Sequence, residues 1–309
     1  MRASSLNQLL RQGSLGAGPR LFQGPCCLFG GWLSPGQMAP TQPQVTTRVR
    51  DRLARGHTNF IEAFRQFARN SPSCYIEEEP GVLRIASGIP NAGFNVVFLT
   101  LPARDPEQVF AGAVDFMNSQ EISHWRVVAL PEAAASMASI VRPGGLGPAG
   151  HMPGMLMSPI PPAAPPAPEG LEVVPADTPE RWATMLEVGA IGMDGAPWEK
   201  IDWILPFERD GPVRGYLGFV GGRPVATSIG FSHSGIGGVF FVATLPEFRG
   251  RGFGTCLTWK AVIDSRHDGC DASYLQASKD GYPVYSKMGY KDVAEYTTWR
   301  PEPTVPHVG

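Results

Sequence analysis

The chain has 309 residues, of which 43% are hydrophobic and 17% charged, with a formal net charge of −2. That length allows two domains of ordinary size, and the near-neutral charge provides no overall basic field for nucleic acid or an anionic membrane. No apolar run approaches the roughly 18 residues of a membrane span. A cytoplasmic protein with neither nucleic-acid nor membrane partners is expected; a homodimer is left open.

Residues 1–45 contain no Asp or Glu and are rich in Gly, Ser, Pro and Gln, with Arg2, Arg11 and Arg20 scattered through them. Without sustained apolar periodicity such a segment cannot bury enough surface to offset ordering entropy, so it is expected to be a disordered extension. Its composition resembles an organellar transit peptide, but the preferred reading is that translation begins at Met38. The five cysteines, Cys26, Cys27, Cys74, Cys256 and Cys270, form no C-x-x-C pair and are odd in number, which argues against a disulfide framework. The six histidines lack metal-ligand spacing, and no metal is expected.

From residue 46 the patterns become regular. Phe60, Phe64 and Phe67 mark one helical face. Strand-like runs follow at Cys74–Glu78, Val82–Ser87 and Asn95–Leu101, separated by Pro80-Gly81 and Pro90-Asn91 turns. A helix is predicted over Pro106–Met117, a short strand over Trp125–Leu130 and an alanine-rich helix over Pro131–Val141. Residues 143–169 hold nine prolines and are predicted to be a linker, since such density disfavours helix and ladder alike. Within it, Met152 to Ile160 is apolar enough to pack along a surface.

The second half opens with a strand at Leu171–Val174. Thr178 is an N-cap, followed by Pro179 at the first helical position, and the helix continues through Trp182–Gly189. After an irregular stretch from Asp194 to Pro206, strands are predicted at Val213–Val220 and Arg223–Phe231, joined by a Gly221-Gly222 hairpin turn. Then come a strand at Val239–Thr244, a helix at Thr255–Arg266, a strand at Tyr274–Gln276, a helix at Tyr282–Met288 and a strand at Val293–Trp299.

The most informative run is Val242-Ala-Thr-Leu-Pro-Glu-Phe-Arg249-Gly-Arg-Gly252-Phe-Gly254-Thr255. A strand enters a glycine-rich loop that opens directly into a helix. Glycines remove the Cβ atoms that would block close backbone approach. The first N–H groups of the helix lack intrahelical partners, and its dipole adds about half a positive charge. This is a place for a phosphate group. A Walker loop is excluded because no lysine follows the glycines, and a dinucleotide fingerprint because Thr255 stands where the third glycine is needed.

The pattern Arg249-x-x-Gly252-x-Gly254 resembles the [QR]-x-x-G-x-[GA] acyl-CoA loop of the GNAT superfamily of N-acetyltransferases. Downstream, Tyr285-Ser-Lys-Met-Gly289-Tyr290 is similar to the L-Y-x-x-x-G-[FY] ending of the helix that follows that family's fifth strand. The resemblance covers about residues 170–302 and implies an α/β (α+β) chain. Its C-terminal domain, 170–309, would have the GNAT acyl-CoA N-acyltransferase fold, a mixed sheet flanked by helices. A smaller α/β domain, 46–142, precedes it and reads either as a degenerate GNAT-like half or as an unrelated capping domain. The resemblance also implies acetyl-CoA as co-substrate and an unidentified amine as acceptor. By register, the backbone of Val242, Ala243 and Thr244 would hold the pantetheine arm. The amides from Gly250 through Arg251, Gly252, Phe253 and Gly254 to Thr255 would hold the pyrophosphate, with charge from Arg249 and Arg251, and Ser278 would touch CoA. Tyr285 would protonate the departing thiolate. No acidic side chain occupies the strands around 240 or 275 where many members place a general base; His233 is titratable but carries no assignment. The alternative is a non-catalytic acyl-CoA-binding module. Both motifs lie after residue 170, so that half alone is expected to bind acetyl-CoA.

Overall fold

The computed structural model describes residues 47–198 and 211–302. The expected N-terminal extension, Met38 as a start, and most of the irregular stretch before Pro206 lie outside the described residues.

The first half begins with α1 (Thr47–Asn70), followed by β1 (Tyr75–Glu79), β2 (Val82–Ala86) and β3 (Val96–Leu99). Next come α2 (Pro106–Ser119), β4 (Arg126–Ala129), a short α3 (Pro131–Ala134) running into a 3-10 turn (Ala135–Ile140), and β5 (Gly150–Met157). The second half holds β6 (Leu171–Pro175), α4 (Pro179–Asp194), β7 (Val213–Val220), β8 (Arg223–His233) and β9 (Ile236–Thr244). It ends with α5 (Phe253–His267), β10 (Ala272–Gln276), α6 (Tyr282–Met288) and β11 (Lys291–Trp299). The expected Thr178 cap forms, and Asp105 caps the helix that opens at Pro106. Asp105 accepts from the Gln108 N–H at 3.0 Å ahead of Pro106, and Thr178 accepts from the Arg181 N–H at 3.3 Å ahead of Pro179.

Among the described residues all eleven strands form one mixed sheet in the order β1-β2-β3-β4-β11-β5-β10-β9-β8-β7-β6. Only β3/β4 and β9/β10 run parallel. The strands read as apolar on both faces because both are covered. On one face α1 and α4 bury Phe60, Phe64, Trp182 and Met185 against Phe98, Leu217 and Tyr274. On the other, α5 packs Phe253, Leu257 and Val262 over the second half, and α2 with the 3-10 turn packs Met117, Met137 and Ile140 over the first.

Two features depart from the sequence reading. The segment expected to be linker supplies β5, in the middle of the sheet. Its prolines crowd Pro159–Pro168, whereas Gly150–Met157 contains only Pro153. Pro153 stands beside the end of β10, where a missing N–H removes one rung, and its carbonyl still accepts from the Ala277 N–H at 2.9 Å. Met152, Met155, Leu156 and Met157 are buried, so apolar burial outweighs the lost rung. The second departure is an exchange of final strands. β5, the last strand of the first half, pairs with β10, while β11, the last of the second half, pairs with β4. The two exchanged strands pair with each other between them, so the halves are interleaved through a single sheet.

Candidate functional site

The site begins with a defect in β9. Thr227 of β8 faces Ala243 and Ile229 faces Phe240, so Phe241 and Val242 together stand opposite Ser228. Phe241 takes φ +55°, a strained value for a bulky residue. Packing holds it there: a Cβ at Gly189 of α4 would collide with its ring, and Phe94 and Trp198 flank it at ring separations of 6.2 and 5.8 Å.

The bulge coincides with a parting of strands. β9 runs to Thr244, yet it pairs with β10 only where Ile236–Gly238 face Ala272–Tyr274. Beyond Gly238 and Tyr274 the two parallel strands separate. The Leu245 N–H donates to the Val225 carbonyl at 2.9 Å. By the two-residue period, the main-chain groups of Val242 and Thr244 therefore point away from β8 into the opening, and those of Ala243 toward β8. In the first half the corresponding pair, β3 and β4, is joined along its whole length from Val96/Arg126 to Leu99/Ala129 and has no such opening. That half also lacks the glycine motif.

The glycine loop closes one end of the opening. After the turn Pro246–Phe248 the chain is extended at Arg249 and left-handed at Gly250 (φ +74°) and Gly252 (φ +79°). Gly252 caps α5, whose first intrahelical bond runs from the Cys256 N–H to the Gly252 carbonyl at 3.0 Å. The N–H groups of Phe253, Gly254 and Thr255 precede that bond and are free to meet an anion. A Cβ at Gly250 would find nothing within 4 Å, whereas one at Gly254 would touch Thr244 Oγ1 at 3.4 Å and Val242 Cγ1 at 3.5 Å. The loop is thus open outward and tight against the end of β9, as a cradle for a phosphate requires.

The two arginines differ. Arg249 Nη2 donates to the Gly192 carbonyl at 2.7 Å and Nε to the Thr244 carbonyl at 3.2 Å. It fastens the loop to the end of β9 and to the last turn of α4, where a cation also complements the helix dipole. Arg251 is exposed and lies over the rings of Phe248 and Phe253, 5.6 and 4.7 Å from their centroids.

Tyr285, on α6, is half-buried on the α5 side of the sheet and meets Tyr290 edge-on at 6.0 Å. Burial pushes its phenol up to about 12, so it is protonated over the physiological range and able to donate. Ser278 Oγ accepts from the Gly281 N–H at 3.1 Å and shapes the turn into α6, with its hydroxyl proton left to donate elsewhere. Burial raises the Cys256 thiol, so the α5 N-terminus does not yield a reactive thiolate. His233 stacks on Phe231 at 5.6 Å and faces Ile236 at the start of β9. It lies about 20 Å along the strand from Val242 at the usual rise per residue, too far to act as a base in the opening. Among the described residues no His/Cys/Asp/Glu group could hold a metal and no helix is long and apolar enough to cross a membrane.

One group of polar side chains was not foreseen. His57, Tyr274, Tyr296 and Gln276 converge on the α1 side of β10, although they come from both ends of the chain. No local motif signals them, because their proximity depends on the strand exchange and on where α1 packs.

The Acetyltransferase (GNAT) family model matches residues 181–290. No curated protein matches the chain in sequence. Among solved structures, a GCN5-related N-acetyltransferase from Kribbella flavida is 16% identical with a TM-score of 0.59, the match covering 82% of this chain and 97% of that one. Another from Sphaerobacter thermophilus is 15% identical with a TM-score of 0.51, over 73% and 82% of the two chains. At such identities these neighbours bear on fold. Residues 181–290 of this chain thus match the GNAT acetyltransferase family model, and the chain shares the fold of these GCN5-related N-acetyltransferases.

Proposed function

We propose that the protein moves an acetyl group from acetyl-CoA to an amine by direct attack of the amine nitrogen on the thioester carbon. The observation that carries this reading is the opening between β9 and β10, which ends at the amides of Gly250 through Thr255. Thioester transfer needs a site that holds a long, thin arm with an anionic tail, and a strand edge left unpaired by its neighbour beside a helix N-terminus supplies both. In this reading the Val242 and Thr244 main chain lies along the pantetheine arm, with Ala243 holding the strand to β8. A main-chain N–H there stabilises the oxyanion as the carbonyl becomes tetrahedral. Arg249 positions the loop, and Arg251 adds charge at its rim. Ser278, in the turn before α6, offers its hydroxyl proton to CoA, and Tyr285 gives its proton to the thiolate as the C–S bond breaks.

The test is calorimetric titration of the full chain with acetyl-CoA, followed by a CoA-release assay over a panel of small amines, amino acids and peptides. Binding together with CoA release upholds the reading. Binding without release from any amine favours the acyl-CoA-binding module, and no binding removes both.

A further inference from the structure

The loop between β2 and β3 belongs to the first half, and its shape is fixed within that half. Asn95 Oδ1 accepts from the Ser87 N–H and hydroxyl at 2.8 and 2.9 Å, and Asn95 Nδ2 donates to the carbonyls of Ile89 and His124 at 2.7 and 2.9 Å. Inside the loop the Gly93 N–H donates to Asn91 Oδ1 at 2.6 Å. That bond leaves Asn91 Nδ2 directed out of the loop, where it donates to both carboxylate oxygens of Asp194 at 2.9 and 2.8 Å. Asn91 is buried, so this is an enclosed polar tie between the two halves.

Asp194 ends α4. A carboxylate there faces the negative end of the helix dipole and weakens the helix, so its placement answers to something else. Its donors, Asn91 and Trp198, both lie outside the helix, the Trp198 indole N–H donating to Oδ2 at 2.6 Å. These bonds place the Trp198 ring, which meets Phe94 at 4.9 Å and Phe241 at 5.8 Å. The last turns of α4 also seat the bulge. The Phe241 ring fills the place of a side chain at Gly189, and a Cβ at Gly192 would come within 3.0 Å of Ala243 Cβ and 3.2 Å of the Thr244 nitrogen. A bulky residue with positive φ persists only where its surroundings over-determine it. Here the surroundings are the Asn91–Phe94 loop, Trp198 and the end of α4.

We propose that Asn91, Asp194 and Trp198 are positioning residues for acyl transfer: by tying the β2–β3 loop to the end of α4 they lock Phe241 in its bulge, and the bulge holds the Val242–Thr244 edge where the thioester meets it. This rests on the acyl-transfer reading. If Phe241 relaxed to an ordinary extended conformation, β9 would lose its extra residue and its pairing with β8 would slip by one beyond that point. The main-chain groups of Val242 and Thr244 would then turn toward β8, and those of Ala243 toward the opening. The first half, whose own β3 and β4 stay paired along their length, thus serves the opening in the second by fixing which main-chain groups line it.

The experiment exchanges the two polar side chains in the full chain. Asn91→Asp alone sets two carboxylates face to face. Adding Asp194→Asn gives each donor an acceptor again, because the amide now ending α4 can donate to the new carboxylate while its oxygen accepts from Trp198. Acetyl-CoA affinity, Tm and kcat with the best amine of the panel are measured on each. Met137→Ala, in the core on the α2 side of the first half, controls for lost stability. Asn91→Asp should lose about tenfold in affinity and about 10²-fold in kcat, and the exchanged variant should recover both to within about threefold. Trp198→Phe, which removes only the N–H, should move both the same way by less. Met137→Ala should lower Tm and leave affinity and kcat unchanged. A lower Tm in Asn91→Asp with wild-type affinity and kcat would overturn the proposal, as would no recovery in the exchanged variant or equal losses in Met137→Ala. If Asn91→Asp does not fold, Trp198→Phe decides, and wild-type values there overturn the proposal. If the wild type turns over no amine, the acyl-transfer reading falls and so does positioning for it. Affinity lost in Asn91→Asp and regained on exchange would then leave only a clamp on acetyl-CoA binding.

Discussion

Tyr274 stands opposite Gly238 in the last rung between β9 and β10. Its ring lies under Gly56 of α1, and its hydroxyl is 2.9 Å from that of Tyr296 on the exchanged strand β11. At this one residue the opening of the sheet, the helix contributed by the first half and the strand exchange meet. The glycine loop lies wholly in the second half, while the residue at which the sheet parts is packed by α1 of the first half and by the exchanged strand.

The exchange predicts the behaviour of fragments. A chain beginning at Gly170 would lack β5, leaving β10 and β11 without the strand that joins them, and would lack α1 over β8–β10. Such exposed edges and apolar faces favour aggregation. We expect that fragment to give no cooperative thermal transition and no acetyl-CoA binding. A cooperative, binding-competent fragment would restore the independent second domain expected from motif position alone.

Gly252 caps α5 at φ +79°. In Gly252→Val the side chain would force a left-handed β-branched residue, costing about 1–2 kcal/mol, and would stand in front of the free amides. Acetyl-CoA binding should fall below detection in calorimetry while Tm drops by a few degrees. Normal affinity would exclude the loop as the phosphate site.

Arg249 and Arg251 should separate. Arg249→Ala removes the ties to the carbonyls of Gly192 and Thr244 and should weaken acetyl-CoA binding by about tenfold, the scale of one charge-assisted hydrogen bond moderated by exposure. Arg251→Ala removes only exposed stacking on Phe248 and Phe253 and should change affinity by less than about threefold. Equal effects would make both arginines simple charges at the rim.

Tyr285→Phe keeps the ring against Tyr290 and removes the hydroxyl. If Tyr285 donates to the thiolate, kcat should fall by roughly 10²- to 10⁴-fold with acetyl-CoA affinity unchanged. With its phenol pushed up to about 12, the donor form persists as pH rises and is lost only near that value. The wild type should thus show no alkaline limb from this group below about pH 11. An unchanged kcat in the variant would leave Tyr285 as a packing residue.

Much of this protein is local and was legible in the chain. The Phe60/Phe64/Phe67 stripe, the Thr178-Pro179 cap, the Gly221-Gly222 hairpin and the strand–glycine–helix passage at Val242–Thr255 each follow from a period, a cap or a turn over a few residues. The loop conformation likewise follows from which positions are glycine. The tertiary structure decided what no short window encodes. Proline density concealed β5, because a strand's tolerance of one proline depends on which neighbour faces it. Strand exchange depends on pairing between segments far apart, and the bulge at Phe241 on a packing partner, Gly189, in another element. Arg249, read as a phosphate ligand from its motif position, is turned inward by the carbonyl of Gly192. The line from Tyr274 to His57 joins residues 239 positions apart at its outer step, from Tyr296 to His57, and exists only because burial left those hydroxyls one another as partners.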